Sequence, residues 1–147
     1  MLPVPLYLAL MGLCCGYAFV RGGRPERIGA AIIVIGTFLS MAALSAPLGR
    51  YRTVESGILG VDLIALVAFT ALALRADRFW PIWVSALAGM TILGHVGRWY
   101  LGPDIGRGAY AIGMVLWSYP ILVVIAIGTF NHQRRTAGHP GGLAADR

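Results

Sequence analysis

Five long apolar stretches alternate with short polar connections along the chain. They cover residues 2–20, 28–45, 57–74, 79–101 and 109–130. Each is close to the roughly 20 residues that an α-helix needs to cross the hydrocarbon core of a bilayer. The pattern predicts an all-α fold, an integral membrane bundle of five transmembrane helices within residues 1–130. Residues 131–147 are polar and rich in glycine, and we expect them to form a disordered cytoplasmic tail.

Prolines and glycines mark the expected ends and bends of these helices. Pro25 and Pro81 fall in the first turns of the second and fourth helices, where a missing N–H costs no hydrogen bond. Pro47 and Gly49 are expected to end the second helix. Pro120 lies inside the fifth helix and removes a backbone hydrogen bond, so we predict a kink there.

The first predicted helix carries two pairs of small residues. Gly12 and Gly16 form a G-x-x-x-G pair, which predicts a packing face where another backbone can approach closely. Cys14 and Cys15 are neighbours that point about 100° apart on a helix, so we interpret them as packed apolar residues and not as a disulfide framework.

Charged residues are scarce, which supports a membrane protein. They make up 12% of the 147 residues, against 58% hydrophobic residues, and the mean hydropathy is +0.74. A soluble domain usually carries about 25% charged residues. With so few charges a water-soluble fold could not cover its surface, and the length allows one domain only.

The basic residues are all arginines, and the net charge is +6. The lack of lysine excludes a lysine nucleophile or a retinal-type Schiff base. Because the arginines lie between apolar stretches and form no basic stripe with interleaved aromatics, they indicate membrane topology and not nucleic-acid binding. The richer side holds Arg21, Arg24, Arg27, Arg75, Arg78, Arg134 and Arg135, and the poorer side holds Arg50, Arg52, Arg98 and Arg107. The richer side is expected to be cytoplasmic, which predicts an outside N-terminus and a cytoplasmic C-terminus.

Aromatic residues are expected to mark the two membrane boundaries. Trp80 and Trp83 would mark the inner boundary, where the fourth helix begins. Trp99, Tyr100 and Tyr110 would mark the outer boundary, around the connection to the fifth helix.

Two ionisable residues, Asp62 and His95, fall inside predicted spans, with Arg98 one turn beyond His95. Such groups are costly in a bilayer and are therefore candidates for function. Asp62 lies roughly 7–8 Å and His95 roughly 9 Å from the same outer boundary, at 1.5 Å per residue. We therefore predict one polar cluster of Asp62, His95 and Arg98 in the outer half of the bundle. We expect Ser118 or Trp117 of the fifth helix to complete it.

Three interpretations of this cluster stay open. A carboxylate paired with an imidazole or guanidinium can clamp two helices, because pairing offsets the desolvation cost that each group bears alone. The same groups can bind a ligand or an ion, or take part in catalysis. Arg98 can instead extend its guanidinium to the lipid headgroups.

The sequence identifies no cofactor. A haem held by two histidines needs both on facing helices, but His132 and His139 lie beyond the last helix, on the opposite side from His95. Zinc needs three or four ligands, and His95 is the only good candidate within the predicted spans, so no metal site is predicted. Phosphate-binding loops, Ser–His–Asp spacing and paired catalytic carboxylates do not occur in the sequence.

Three segments carry a resemblance to known sequences. GRPERIGA (residues 23–30), ADRFWPIWVSAL (76–87) and WSYPILVVIAIGTFNHQRR (117–135) resemble a group of small multi-pass inner-membrane proteins from bacteria that have no assigned function. The resemblance spans most of the chain and implies a multi-pass topology and a location in the bacterial inner membrane. None of these motifs carries known chemistry, so the resemblance implies no site residues.

These observations favour a non-enzymatic protein. We expect a small accessory or scaffold subunit of a larger membrane complex, with an energy-transducing complex as one candidate. Short loops leave no soluble domain for chemistry, and glycine-rich faces suit contact with other membrane subunits or with further copies of the chain. The alternative is a small transporter or ligand-binding protein that uses the outer Asp62, His95 and Arg98 cluster. A membrane enzyme ranks third, because too few polar residues lie close together to supply nucleophile, base and oxyanion roles.

Overall fold

The computed structural model describes residues 4–43, 56–101 and 107–137. Within these ranges the chain is almost entirely helical and contains no strand. The helices are α1 (Val4–Arg21), α2 (Arg24–Ala43), α3 (Ser56–Arg75), α4 (Trp80–Leu101), α5 (Arg107–Leu116) and α6 (Ser118–Ala137). Because only Trp117 separates α5 from α6, these two segments form one interrupted helix in a bundle of five. The predicted all-α fold is confirmed.

The second helix begins earlier than predicted. α2 starts at Arg24 instead of residue 28, so Pro25 and Glu26 both lie in its first turn. Proline and acidic side chains are favoured there, because the first N–H groups of a helix lack partners within it. The predicted stop at Pro47 and Gly49 lies outside the described residues.

The last helix continues further than predicted. α6 runs to Ala137 instead of ending at Phe130. The Tyr17 hydroxyl of α1 donates a hydrogen bond of 2.8 Å to Oε1 of Gln133, which fixes this extension against the bundle. The prediction of a disordered tail from residue 131 is therefore corrected for residues 131–137, which are helical, with Gln133 held against α1. Residues 138–147 lie outside the described part of the chain.

The fifth predicted helix is interrupted, as its internal proline requires. α5 ends at Leu116 and α6 begins at Ser118. Pro120 has no N–H to donate to the carbonyl of Leu116 four residues earlier, and its ring crowds that carbonyl. The helix is therefore interrupted at Trp117, three residues before the proline that was predicted to kink it. The loop before α5, residues 102–106, is outside the described residues.

The helices close into a ring. Each of α1 to α4 packs against the next, α4 packs against both α5 and α6, and α6 packs against α1. α2 also contacts α6 across the ring. The buried apolar residues form one core: Met11, Cys15, Ala18, Ala30, Ile33, Phe69, Leu72, Trp80, Val84, Ala88, Leu122 and Ile125.

The outer surface of this ring is apolar. Large hydrophobic side chains are exposed on every helix, and Leu13, Ile64, Leu74 and Trp83 are each more than half exposed. Soluble monomers rarely expose continuous apolar surface on this scale. By length and composition, three of the described helices, α1, α2 and α3, are long and apolar enough to cross a membrane.

Close packing at glycine occurs in a different place from the one predicted. A Cβ atom added at Gly12 or Gly16 would meet nothing within 4 Å, so the chain does not use this pair as a contact within itself. A Cβ atom at Gly29 or Gly128 would lie 2.6 Å or 2.7 Å from the indole of Trp80. The two glycines therefore make room for one large ring between α2, α4 and α6.

Candidate functional site

Asp62 and His95 lie together, as their predicted depths require. Asp62 is on α3 and His95 is on α4, and Oδ2 of Asp62 is 3.2 Å from Nε2 of His95. The side chain of His95 is only 1% exposed, whereas that of Asp62 is 23% exposed. The pair joins two neighbouring helices and leaves part of the carboxylate accessible.

Tyr110 of α5 completes the hydrogen bonding of His95. Its hydroxyl oxygen lies 2.8 Å from Nδ1 of His95, and the two rings meet edge to face with centroids 5.8 Å apart. Tyr110 is only 4% exposed. The ring therefore points into the bundle, a direction that its prediction as a boundary aromatic did not include. Trp99 and Tyr100 are strongly exposed, as boundary residues would be.

Asp62, His95 and Tyr110 form a continuous hydrogen-bonded chain. In a neutral imidazole one ring nitrogen donates and the other accepts. If Nε2 carries the hydrogen, His95 donates to Asp62 and accepts from the Tyr110 hydroxyl, so all three groups are satisfied. A protonated imidazole would donate at both nitrogens, and the tyrosine oxygen would then accept. The arrangement accommodates either state without moving a heavy atom.

Arg98 joins the cluster through Tyr110. Its guanidinium carbon lies 5.7 Å from the centre of the Tyr110 ring, within the range of a cation–π contact. The side chain is only 5% exposed, so Arg98 does not extend into the open as the headgroup interpretation requires. The positive charge is held beside the hydrogen-bonded chain.

A cavity of about 300 Å³ opens beside Asp62. Its walls come from α1 to α6 and are mainly apolar, with Ile33, Phe69 and Ala88 among them. Polar side chains are interspersed on the walls: Tyr7, Thr37, Ser40, Asp62, Thr91, Ser118 and Tyr119. Ser118 thus shares the cavity with Asp62, as predicted for the fifth helix, whereas Trp117 sits at the helix break and does not line it.

The aromatic wall of the cavity holds one hydroxyl without a partner. The Tyr7 hydroxyl is 3.1 Å from Oγ1 of Thr37, so either can donate. The rings of Tyr7 and Tyr119 meet edge to face at 5.6 Å. The Tyr119 hydroxyl is buried and has no hydrogen-bond partner within the described residues. A buried donor left in this way is unusual and marks a place where the wall is not fully satisfied.

A second polar cluster, which the sequence did not predict, lies at the opposite end of α4. Glu26 is completely buried, and Oε1 accepts a hydrogen bond of 3.1 Å from Nε1 of Trp80. Trp80 is 8% exposed and packs against Gly29 and Gly128. Its indole therefore points into the bundle, which its prediction as a boundary residue did not include, whereas Trp83, one turn later, is strongly exposed.

His132 brings α6 into this second cluster. A Cβ atom at Gly23 would lie 3.0 Å from Oε2 of Glu26 and 2.9 Å from Cε1 of His132, so only glycine leaves space there. Oε2 is buried without a partner in the described chain. On its other side, the His132 ring has Nδ1 at 3.4 Å from Nη2 of Arg78. This second cluster therefore consists of Glu26, Trp80, His132 and Arg78, and we name it the inner cluster after the membrane side predicted for this end of the bundle.

The resemblance segments supply every member of the inner cluster. Glu26 comes from residues 23–30, Arg78 and Trp80 from residues 76–87, and His132 from residues 117–135. Three separate motifs therefore meet at one point, which only the structure reveals. In the sequence, Glu26 and Arg78 belong to short charged connections between predicted helices, and His132 belongs to the predicted polar tail.

Comparison of the chain with models of protein families, with curated proteins and with solved structures finds no match. The resemblance to small bacterial inner-membrane proteins therefore stays a prediction. What the structure defines is a class: a helical bundle with three candidate membrane-spanning helices, an internal cavity and two polar clusters. Function follows from the chemistry of these features alone.

Proposed function

We propose that all five helices cross the bacterial inner membrane, with the N-terminus outside and the C-terminus in the cytoplasm. α4 and the interrupted helix pack beside the three candidate spans. Like those spans, they expose large apolar side chains. The 22 residues of α4 would reach about 33 Å at 1.5 Å per residue, enough for a bilayer core. Arg75, Arg78 and Arg134 then lie on the cytoplasmic side, as the arginine rule favours.

Cysteine labelling in intact cells tests this topology. Cys14 and Cys15 are first replaced by alanine. A single cysteine is then introduced in each of two variants, Ser56→Cys and Thr136→Cys, which are exposed positions at opposite ends of the bundle. We expect a membrane-impermeant maleimide to label the Ser56→Cys variant in intact cells and the Thr136→Cys variant only after permeabilisation. Labelling of both variants, or of neither, in intact cells contradicts five crossings in this orientation.

We propose further that the cavity binds a small ligand with an apolar body and one cationic or hydrogen-bond-donating group. The observation that carries this proposal is the position of Asp62, an accessible carboxylate on the wall of a mainly apolar cavity. Ligand sites combine apolar walls with a few polar groups that fix orientation, in volumes of roughly 300–1,000 Å³. The 300 Å³ available here suits a compact molecule.

The surroundings of Asp62 suit a binding role better than a clamp alone. A clamp needs only the buried contact with His95, yet the carboxylate also borders an open space. His95 contacts Oδ2 of Asp62 and is itself held by Tyr110, and of these three residues only Asp62 lines the cavity. A cationic group there would gain a charge-assisted hydrogen bond, which is about twice as strong as a neutral one.

Binding of a simple aromatic amine tests the ligand proposal. Purified protein in detergent is titrated with benzylamine, and with benzyl alcohol as a neutral probe of similar shape. We expect Asp62→Asn to weaken benzylamine binding about ten-fold or more and to leave benzyl alcohol almost unchanged. Asp77→Asn, the same change at an exposed carboxylate outside the cavity, serves as the matched control. Equal loss for both probes, or no loss, contradicts the proposal.

An accessory-subunit function is the second candidate, and the open face of α1 favours it. Gly12 is exposed and Gly16 has no neighbouring atoms within 4 Å of its Cβ position, so another helix can approach closely. We expect Gly12→Ile to shift the chain from a larger complex to the free form in mild detergent. Ala86→Ile, which adds similar bulk on an exposed face of α4, should leave the complex intact. A chain that isolates alone before any substitution counts against this function.

A further inference from the structure

A second, smaller pocket lies at the inner end of the bundle, between the start of α4 and the end of α6. Its volume is about 60 Å³, or about twice the share of one water molecule in the liquid. Arg78, Phe79, Trp80, Gly128, Asn131, His132 and Arg135 line it. The pocket thus gathers two guanidinium groups, an imidazole and an amide in a space that fits one tetrahedral oxyanion.

The charges around this pocket favour an anion. Arg78 has five N–H donors and uses one of them on His132, so others remain for a ligand. Arg135 adds a second fixed positive charge from the last turn of α6. The carboxylate of Glu26 accepts a hydrogen bond from the Trp80 indole and does not line the pocket. Guanidinium groups match the geometry of phosphate oxygens, which they can bind in pairs.

The surface next to the pocket favours a lipid as the source of that phosphate. Phe79 is 82% exposed and Trp83 is 66% exposed, so an apolar surface continues directly from the pocket along α4. Exposed aromatic rings of this kind sit at the level of lipid headgroups. A basic pocket between helices on the cytoplasmic side is suited to an anionic headgroup.

We infer that this pocket binds the phosphate of an anionic phospholipid, with Arg78 and Arg135 as the charged ligands and Phe79 and Trp83 against the acyl chains. The inference rests on the proposed membrane insertion but is independent of the ligand site at Asp62. The shared chemistry is a phosphate oxyanion, so free phosphate is the competing source.

Native mass spectrometry of the full chain in detergent tests this inference. The protein is titrated with phosphatidylglycerol, phosphatidylcholine or inorganic phosphate, and bound adducts are counted. We expect one retained phosphatidylglycerol, with phosphatidylcholine at least about five-fold weaker. Arg78→Gln together with Arg135→Gln should reduce phosphatidylglycerol retention about ten-fold or more, since each basic group near an anionic headgroup contributes substantially to binding.

Two variants separate a binding role from a structural one. Arg134→Gln removes the same charge from the same turn, but this arginine lies over the Phe130 ring and outside the pocket. It should keep phosphatidylglycerol retention within about two-fold. Arg135→Gln alone keeps the contact of Arg78 with His132 and should still lower the preference for phosphatidylglycerol over phosphatidylcholine. An equal effect of Arg134→Gln, or equal retention of the two lipids, overturns the inference.

Competition identifies the source of the phosphate. Inorganic phosphate that binds saturably and displaces the lipid would assign the pocket to a soluble phosphate and overturn the lipid assignment. Phosphatidylglycerol that stays bound in excess phosphate supports it. The cysteine labelling can contradict the proposed orientation while the protein still prefers phosphatidylglycerol over phosphatidylcholine. In that case the membrane orientation is wrong and the pocket assignment stands.

Discussion

The indole nitrogen of Trp80 lies 3.1 Å from Oε1 of Glu26, and both side chains are buried. This hydrogen bond joins α4 to α2, two helices that are not neighbours in sequence. Oε2 of the same carboxylate has no partner in the described part of the chain. Among the described residues, the indole is therefore the one hydrogen-bond donor to a carboxylate that is costly to bury.

Replacement of Trp80 by phenylalanine removes the hydrogen-bond donor to Glu26. The loss of this hydrogen bond alone should destabilise the protein by about 1–3 kcal/mol, because the carboxylate stays buried without it. The smaller ring adds a packing loss between Gly29 and Gly128. Thermal unfolding in detergent measures the change. Trp83→Phe, at an exposed tryptophan one turn away, should cost much less. Equal losses for the two variants would mean that the bond to Glu26 contributes little.

The outer cluster could be predicted from sequence, but the inner one could not. Asp62 and His95 lie at matched distances from the same end of their predicted spans, and depth along a helix can be counted residue by residue. The pairing of Glu26 with Trp80 depends on how α2 and α4 rotate about their axes. In a helix that is apolar on every face, the sequence pattern says little about that rotation.

Tyr110 illustrates a second limit of sequence reasoning. An aromatic residue near the end of a span is typical of a membrane boundary, and its amphipathic ring suits that position. The same ring can instead turn inward when a buried acceptor is near, as Nδ1 of His95 is here. The depth of Tyr110 was predictable, but its inward direction follows from the packing of α5 against α4.

A methyl group at Gly128 should push the Trp80 indole out of place. The added Cβ would lie 2.7 Å from Cδ1 of the ring, closer than real contacts allow. We expect Gly128→Ala to cost about 1–3 kcal/mol, as overpacked cores do. Gly94→Ala on α4 meets nothing within 4 Å and should stabilise the helix by about 0.5–1 kcal/mol. Unfolding midpoints of the two variants should move in opposite directions, and a parallel shift would contradict the packing argument.

Removal of two different tyrosine hydroxyls should change the free energy of unfolding by different amounts. Tyr110→Phe leaves Nδ1 of the buried His95 without this partner and should cost about 1–3 kcal/mol. Tyr119→Phe removes a buried hydroxyl that has no partner within the described chain. That change should be neutral or slightly stabilising, since no hydrogen bond is lost. Both substitutions delete one oxygen from a tyrosine, so their difference in unfolding free energy measures what the contacts of the Tyr110 hydroxyl contribute, that with His95 among them.

Asp62 should tolerate asparagine better than alanine. The amide oxygen of Asp62→Asn can still accept a hydrogen bond from Nε2 of His95, so we expect a loss below about 1 kcal/mol. Asp62→Ala leaves that buried nitrogen without its partner and should cost about 1–3 kcal/mol. Chemical or thermal unfolding in detergent distinguishes the two. If asparagine and alanine cost the same, the charge of Asp62, and not its hydrogen bond, stabilises the contact between α3 and α4.

The break at Trp117 should close when Pro120 is replaced by alanine. Alanine restores an N–H group that can donate to the carbonyl of Leu116, and it removes the ring that crowds this carbonyl. Hydrogen exchange of the amides of Trp117, Ser118, Tyr119 and Ile121 should then slow in the variant relative to the native chain. Val123→Ala, an exposed change one turn later on α6, should leave the exchange of these amides unaltered. Unchanged exchange in the Pro120→Ala variant would show that contacts of α5 with α4, and not the proline, set the interruption.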